Sequence, residues 1–132
     1  MYDIKSFYEA SSVSDAVDAL VREPDAEIIS GGTDVLIRVR NGRDTGKALV
    51  SIHNLNEWKG VRLTEDGDLW IGAGTAFSHI TADPLIQRYV PMLGEAVDQV
   101  GGPQIRNVAT IGGNICNGAT SADSASTMCT LE

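Results

Sequence analysis

The sequence predicts an α+β chain in two lobes, and three of its features carry that reading. A strand, a glycine-rich turn, a helix and a second strand succeed one another over residues 27–52, the βαβ order that lays two strands parallel. Two alternating segments then flank Glu65-Asp66-Gly67, as in an antiparallel hairpin. Beyond it, proline and glycine punctuate a run of short helical patterns. The expected lobes are residues 1–57, built on a small parallel sheet, and residues 58–132, an antiparallel sheet with helices that is incomplete at its C-terminus.

The first helix is expected over residues 13–23, where Val13, Ala16, Val17, Leu20 and Val21 recur at i, i+3, i+4, i+7 and i+8. Ser12 with Asp15 resembles a capping box, and Pro24 closes the helix. The strand Glu27-Ile28-Ile29 runs into Ser30-Gly31-Gly32. Thr33 or Gly32 then caps a helix from Asp34 to about Arg40, stopped at Asn41-Gly42, and residues 47–52 form the next strand.

Loop length sets the register of the hairpin. A two-residue turn at Asp66-Gly67 would mix Val61 and Leu63 with Trp70, whereas a three-residue loop with a left-handed Gly67 puts Val61, Leu63, Leu69 and Ile71 on one face. Only the longer loop sorts apolar from polar residues. Two short helices follow, residues 75–83 and 84–89, broken at Pro84. Pro91 opens a further helix with the stripe Met92, Leu93, Ala96, Val97 and Val100, ended by Gly101-Gly102-Pro103. Residues 110–124 show little periodicity, and residues 125–132 read as the opening turns of a helix that stops uncapped, as in a fragment of a longer chain.

Ten Lys and Arg against eighteen Asp and Glu leave the 132-residue chain at −8, with a pI near 4.6. That balance disfavours non-specific nucleic-acid binding and docking on an anionic membrane surface. No apolar run approaches the roughly 20 residues needed to cross a bilayer. The start, Met1-Tyr2-Asp3-Ile4-Lys5, lacks a secretory signal. Cys116 and Cys129 match no zinc or iron–sulfur pattern, so reduced thiols in a cytoplasmic protein are expected, with Cys116 a small buried side chain.

Two glycine pairs carry the chemistry. Ser30-Gly31-Gly32-Thr33-Asp34 lies between strand and helix, where glycine permits positive φ and unpaired N–H groups suit a phosphate or diphosphate; the alternative is a tight turn with a capping threonine. Ala109-Thr110-Ile111-Gly112-Gly113-Asn114-Ile115 offers a hydroxyl, two glycine amides and a carboxamide; the alternative is a sheet-to-loop corner. Amides hold a diphosphate without a buried Lys or Arg that itself needs compensation. At about 1.5–3 kcal/mol per charge-assisted bond, four or five outweigh the diffuse repulsion of an acidic chain.

Gly72-Ala73-Gly74-Thr75-Ala76-Phe77 departs from a Rossmann fingerprint at Phe77 and reads as a strand end entering a helix. There is no Walker A motif. His53 and His79 have no nucleophile or carboxylate at motif spacing and read as structural. Asp123, in Ser121-Ala122-Asp123-Ser124, accepts from a sugar hydroxyl or caps a helix.

At these residues the chain resembles a known family. The segment Ile28-Ile29-Ser30-Gly31-Gly32-Thr33-Asp34-Val35 and the run Gly102-Pro103-Gln104-Ile105-Arg106-Asn107-Val108-Ala109-Thr110-Ile111-Gly112-Gly113-Asn114-Ile115-Cys116-Asn117-Gly118 are similar to the two diphosphate loops of the PCMH-type FAD-binding domain of molybdenum hydroxylases. With Ala119 to Ala125 added, the likeness is to the separate FAD subunits of bacterial xanthine dehydrogenases, which continue well beyond Glu132.

The resemblance implies FAD between two lobes. It places Ile28, Ile29, Ser30, Gly31, Gly32, Thr33, Asp34 and Val35 along the adenine-to-diphosphate strip. Thr110, Gly112, Gly113 and Asn114 are implied on the diphosphate and ribityl side, Asn117 and Asp123 at sugar or ribityl hydroxyls, and Val100 with Gly101 near the flavin ring. It further implies a molybdopterin-binding subunit that oxidises a purine and a 2Fe-2S subunit that relays electrons, with NAD as acceptor and no catalytic acid or base in this segment. Carbon monoxide, nicotinate and aldehyde oxidoreductases share these loops, and a flavin-free assembly module is the alternative of a different class.

Overall fold

A computed structural model describes residues 2–131, and the chain divides into two units, Met1–Asn56 and Glu57–Glu132. The first contains β1 (Ser6–Glu9), α1 (Val13–Arg22), β2 (Glu27–Ile29), α2 (Val35–Arg40) and β3 (Ala48–Ser51). Its sheet has the order β1-β3-β2 with both pairs parallel, and Val50 is flanked by Tyr8 and Ile28. All four residues of β3 are buried, as expected of a central parallel strand covered on both faces. Val50 packs with Ala10, Ala16 and Ala19.

Strand β1 was not anticipated from the sequence. Its four residues are all exposed, so no alternation marks it. Main-chain pairing with β3 forms it, and the ladder extends outward through Lys5 N–H to Lys47 O (3.0 Å) and Ala10 N–H to Ser51 O (3.0 Å). The buried line of α1 also differs from the expected stripe. Ala16 and Ala19 are buried, whereas Val17 and Val21 are 52 % and 73 % exposed. Small alanines let the helix approach β3 closely, and the valines turn outward.

Ser12 caps α1, its Oγ accepting from Asp15 N–H at 3.1 Å. The reciprocal bond is displaced by one residue, because the Asp15 carboxylate accepts from Ser11 N–H (2.8 Å), Ser11 Oγ (3.0 Å) and Tyr8 OH (2.7 Å). The Ser11 amide, then the Tyr8 hydroxyl, hold that carboxyl below the usual range, and the same bond raises the tyrosine. Helix α2 begins one residue later than expected. Asp34 stands at its N-cap position with no side-chain cap bond, so neither Thr33 nor Gly32 caps it.

Four charges clasp α2 to the sheet. Arg38 pairs with Glu27 at the head of β2 and with Asp44 (Nε to Oδ2 2.6 Å), while Lys47 pairs with Asp44 (2.9 Å) and Glu27 (3.6 Å). Arg38 and then Lys47 depress the Asp44 carboxyl, and Asp44 raises Lys47.

A 3-10 turn, Asn56–Trp58, leads into the second unit. There β4 (Val61–Leu63) and β5 (Leu69–Ile71) pair antiparallel, Val61 with Ile71 and Leu63 with Leu69. Gly67 has φ +90°, and Thr64 N–H reaches Asp68 O at 2.8 Å, giving the expected three-residue loop. On the opposite face the Arg62 guanidinium stacks over Trp70 at 3.7 Å. The helices are α3 (Phe77–Ala82), α4 (Pro84–Tyr89), α5 (Pro91–Asp98), α6 (Pro103–Arg106), α7 (Ile111–Cys116) and α8 (Asp123–Thr130).

The core of this unit is Phe77, Ile80, Ile86, Leu93, Val97, Ala109 and Ile111, with Val61, Leu69 and Ile71 packed against it. Leu63 lies outside it at 40 % exposure, and Met92 leaves the expected α5 stripe at 50 %. Helix α7 forms over part of the stretch expected to be irregular, residues 110–124, while residues 117–122 remain outside any helix or strand. Its first turn contains Gly112 and Gly113, which hide the apolar period, and Thr110 starts it by accepting Gly113 N–H on Oγ1 at 3.1 Å.

Two outcomes test this packing. Asp44→Asn lowers stability at neutral pH. Because the Asp44 carboxyl titrates lower in the folded than in the unfolded chain, the difference from wild type is complete above about pH 4 and shrinks as pH falls below it, measured by urea denaturation across pH. Gly72→Ala destabilises by about 2–4 kcal/mol in the same assay, since an added Cβ runs into the Trp58 carbonyl and the Lys59 amide at 2.9 Å.

Candidate functional site

The loop after β2 is built by two constraints. Ile29 is buried, and its carbonyl accepts Ile52 N–H at 2.9 Å, which fixes the end of the strand. Gly32 then takes φ +74° and turns the chain into α2, its carbonyl accepting Leu36 N–H at 3.0 Å. A Cβ on Gly32 would lie 3.2 Å from both Ile29 Cδ1 and Leu36 Cδ1. Among the described residues, the N–H groups of Ser30, Gly31, Gly32, Thr33 and Asp34 meet no acceptor. These five positions and Val35 are half-buried, while Ile28 is exposed. A run of unpaired donors at the C-terminal end of a parallel strand suits an anion, and a dinucleotide diphosphate fits that donor set.

The second turn is built differently. Residues 73–77 run antiparallel to residues 109–112: Phe77 N–H bonds Ala109 O (3.0 Å), Ile111 N–H bonds Thr75 O (3.1 Å) and Gly112 N–H bonds Ala73 O (2.8 Å). Gly113 N–H goes to the Thr110 hydroxyl and Asn114 N–H to Thr110 O (3.0 Å). The glycine amides expected to be bare are therefore all engaged inside the unit. Gly112 is needed for close packing, since a Cβ there meets Ala73 Cβ and O at 2.8 Å. What remains toward a ligand is side chains: the buried Thr110 hydroxyl, still able to donate, and the Asn114 carboxamide.

Asn114 is itself half committed. Its Oδ1 accepts from Ser124 Oγ (2.7 Å) and Ser124 N–H (3.3 Å), joining α7 to the start of α8, and its Nδ2 points to no acceptor among the described residues. Ser124 is fully buried, a structural role that the sequence signalled only as one hydroxyl among several. Asp123 is exposed at the first position of α8, and Ala122 stands at the cap, so the capping alternative for Asp123 does not hold. Asn117 closes α7, its N–H reaching Gly113 O at 3.0 Å.

Val100 and Gly101 sit where α5 meets α6. Gly101 has φ +51°, and Arg106 Nη1 donates to Val100 O (3.2 Å) and Gly101 O (3.0 Å) while its Nε pairs with Asp98 (3.3 Å). Arg106 thus fixes this corner, a role visible only in three dimensions. Cys116 is exposed rather than buried, as is Cys129, and both are free thiols. His79 faces Asp83 at 3.3 Å, and Asp83 caps α4 through Leu85 N–H (2.9 Å). No helix among the described residues is long and apolar enough to cross a membrane.

The family described as the FAD binding domain in molybdopterin dehydrogenase matches residues 2–132. A xanthine dehydrogenase FAD-binding subunit of Escherichia coli O157:H7 is 50 % identical over 95 % of this chain and 43 % of its own length. A nicotinate dehydrogenase FAD-subunit of Eubacterium barkeri is 38 % identical over 80 % of this chain and 35 % of its own. Among solved structures, carbon monoxide dehydrogenase from Hydrogenophaga pseudoflava superposes with a TM-score of 0.84 at 30 % identity, covering 89 % of this chain and 41 % of that one. The chain thus spans less than half the length of these relatives. By sequence along its whole length and by its fold, it belongs to the family of FAD-binding domains of molybdopterin dehydrogenases.

Proposed function

We propose that this chain is the FAD-holding part of a molybdenum hydroxylase of the xanthine dehydrogenase type, passing electrons from iron–sulfur clusters through FAD to NAD. The observation that carries the reading is the run of five N–H groups from Ser30 to Asp34 that meet no acceptor among the described residues. The 50 % identity to a xanthine dehydrogenase subunit favours a purine as substrate of the assembly over nicotinate or carbon monoxide, whose enzymes match at lower identity. A molybdopterin-binding subunit and a 2Fe-2S subunit are the partners this reading requires, and the cytoplasm is where it would work.

In this reading the two units are the two FAD-binding lobes, and they contribute unlike groups. Gly31, Gly32 and Thr33 hold the diphosphate through main-chain N–H groups, with Ile28, Ile29, Ser30, Asp34 and Val35 along the adenine side. Thr110 and Asn114 offer side chains to the cofactor, while Gly112 and Gly113 shape the turn that carries them. Asn117 and Asp123 meet sugar or ribityl hydroxyls, and Val100 with Gly101 borders the flavin ring. When bound, FAD supplies the exchange between single electrons and a hydride. The chain's own task is to bind and orient it, which is why no acid or base is assigned.

The natively purified protein is expected to carry close to one FAD per chain, read from its flavin absorption. Gly32→Val adds a side chain at φ +74° against Ile29 and Leu36, and the displaced loop loses at least about tenfold in FAD affinity while the circular dichroism spectrum persists. Asp34→Asn changes affinity only mildly, since the Asp34 side chain makes no cap bond. A natively purified chain without flavin would instead mark an assembly module.

A further inference from the structure

Ser124 is fully buried, so no ligand can touch it directly. Its Oγ donates to Asn114 Oδ1 at 2.7 Å, and its main-chain N–H donates to the same oxygen at 3.3 Å. A main-chain N–H can only donate, so the carboxamide atom that faces Ser124 must be the oxygen. Ser124 therefore sets which way round the Asn114 amide lies. Ser124 is also the second residue of α8, a helix whose cap position holds Ala122 and lacks a side-chain cap bond. Asn114 Oδ1 thus supplies from α7 what a capping side chain would supply within α8. With Oδ1 spent on two donors, Nδ2 is what the half-buried side chain still has to offer, and it meets no acceptor among the described residues. Unlike the serine hydroxyl, Nδ2 is not closed off from solvent, so a ligand can reach it.

We propose that Ser124 is a positioning residue for the cofactor, holding the Asn114 carboxamide so that Nδ2 donates to a diphosphate oxygen of FAD. This deepens the FAD-binding reading and rests on it. It gives Asn114 a polarity, which residue identity alone leaves open because a carboxamide can donate or accept. It also selects the partner. A carboxamide whose oxygen is already used is poorly suited to receive a hydroxyl hydrogen, whereas a phosphate oxygen needs only donors. Without the Ser124 hydroxyl, the longer bond from its N–H is left to hold the amide, and a reversed amide would turn Oδ1 toward an anion.

The test separates a cap from a contact. FAD is titrated into the natively purified protein after its flavin has been removed, and the melting temperature of the flavin-free form is recorded. Asn114→Asp keeps an oxygen for both Ser124 donors and puts a charged acceptor where Nδ2 stood. The proposal expects this variant to melt no lower than wild type and to bind FAD at least about thirtyfold more weakly. Ser124→Ala should weaken FAD binding about fivefold on its own, yet less than about twofold when Asn114→Ala is already present, because the serine acts only through that side chain. Wild-type FAD affinity in Asn114→Asp, the result a purely capping asparagine gives, overturns the donor assignment. A clear fall in the melting temperature of that variant overturns the geometry on which the proposal stands. Equal losses from Ser124→Ala in both backgrounds, or no loss in either, overturn the positioning role and leave the FAD reading intact. Absence of FAD binding by wild type removes the underlying reading, and this inference with it.

Discussion

Main-chain N–H groups without acceptors are the constraint on which the rest of this structure turns. An unpaired amide half-removed from water is unfavourable unless something accepts its hydrogen. Five in succession follow β2 with no acceptor among the described residues, and the elements around them fix where they stand. Buried β3 and the Ile29–Ile52 bond stop the strand at a fixed point. Gly32 turns the chain without a Cβ, and the Glu27–Arg38–Asp44–Lys47 clasp holds α2 at the far end of the same crossover. An anion is the natural acceptor for such a row.

The second glycine pair obeys the opposite logic. Residues 111–114 spend their amides on residues 73–75 and on Thr110, so that turn is held by bonds within its own unit. If the Ser30–Asp34 amides hold a diphosphate, as proposed, the acidity of the chain is no obstacle. Dipolar amides act at contact distance, whereas the net charge of −8 is spread over the surface and screened beyond about 8 Å in physiological salt.

Legibility in the sequence followed side-chain burial. The hairpin register was readable because only one loop length sorts Val61, Leu69 and Ile71 from Arg62 and Trp70, and the structure pairs them that way. The βαβ crossover was readable from glycine placement between two apolar strands. Strand β1 was not, since backbone pairing alone defines it and all its side chains are exposed. Helix α7 was hidden because its first turn is glycine, and its register depends on the distant carbonyls of Ala73 and Thr75. Residue identities signalled both glycine turns, but not that the second had already used its hydrogens within its own unit.

Amide hydrogen exchange with and without FAD tests the central claim most directly. The account predicts fast exchange at Ser30 to Asp34 in the apo-protein and strong slowing there when FAD binds, with Ile111 to Asn114 slow in both states. Exchange at Ser30 to Asp34 that is unaltered by FAD, or slowing confined to Ile111 to Asn114, would contradict it.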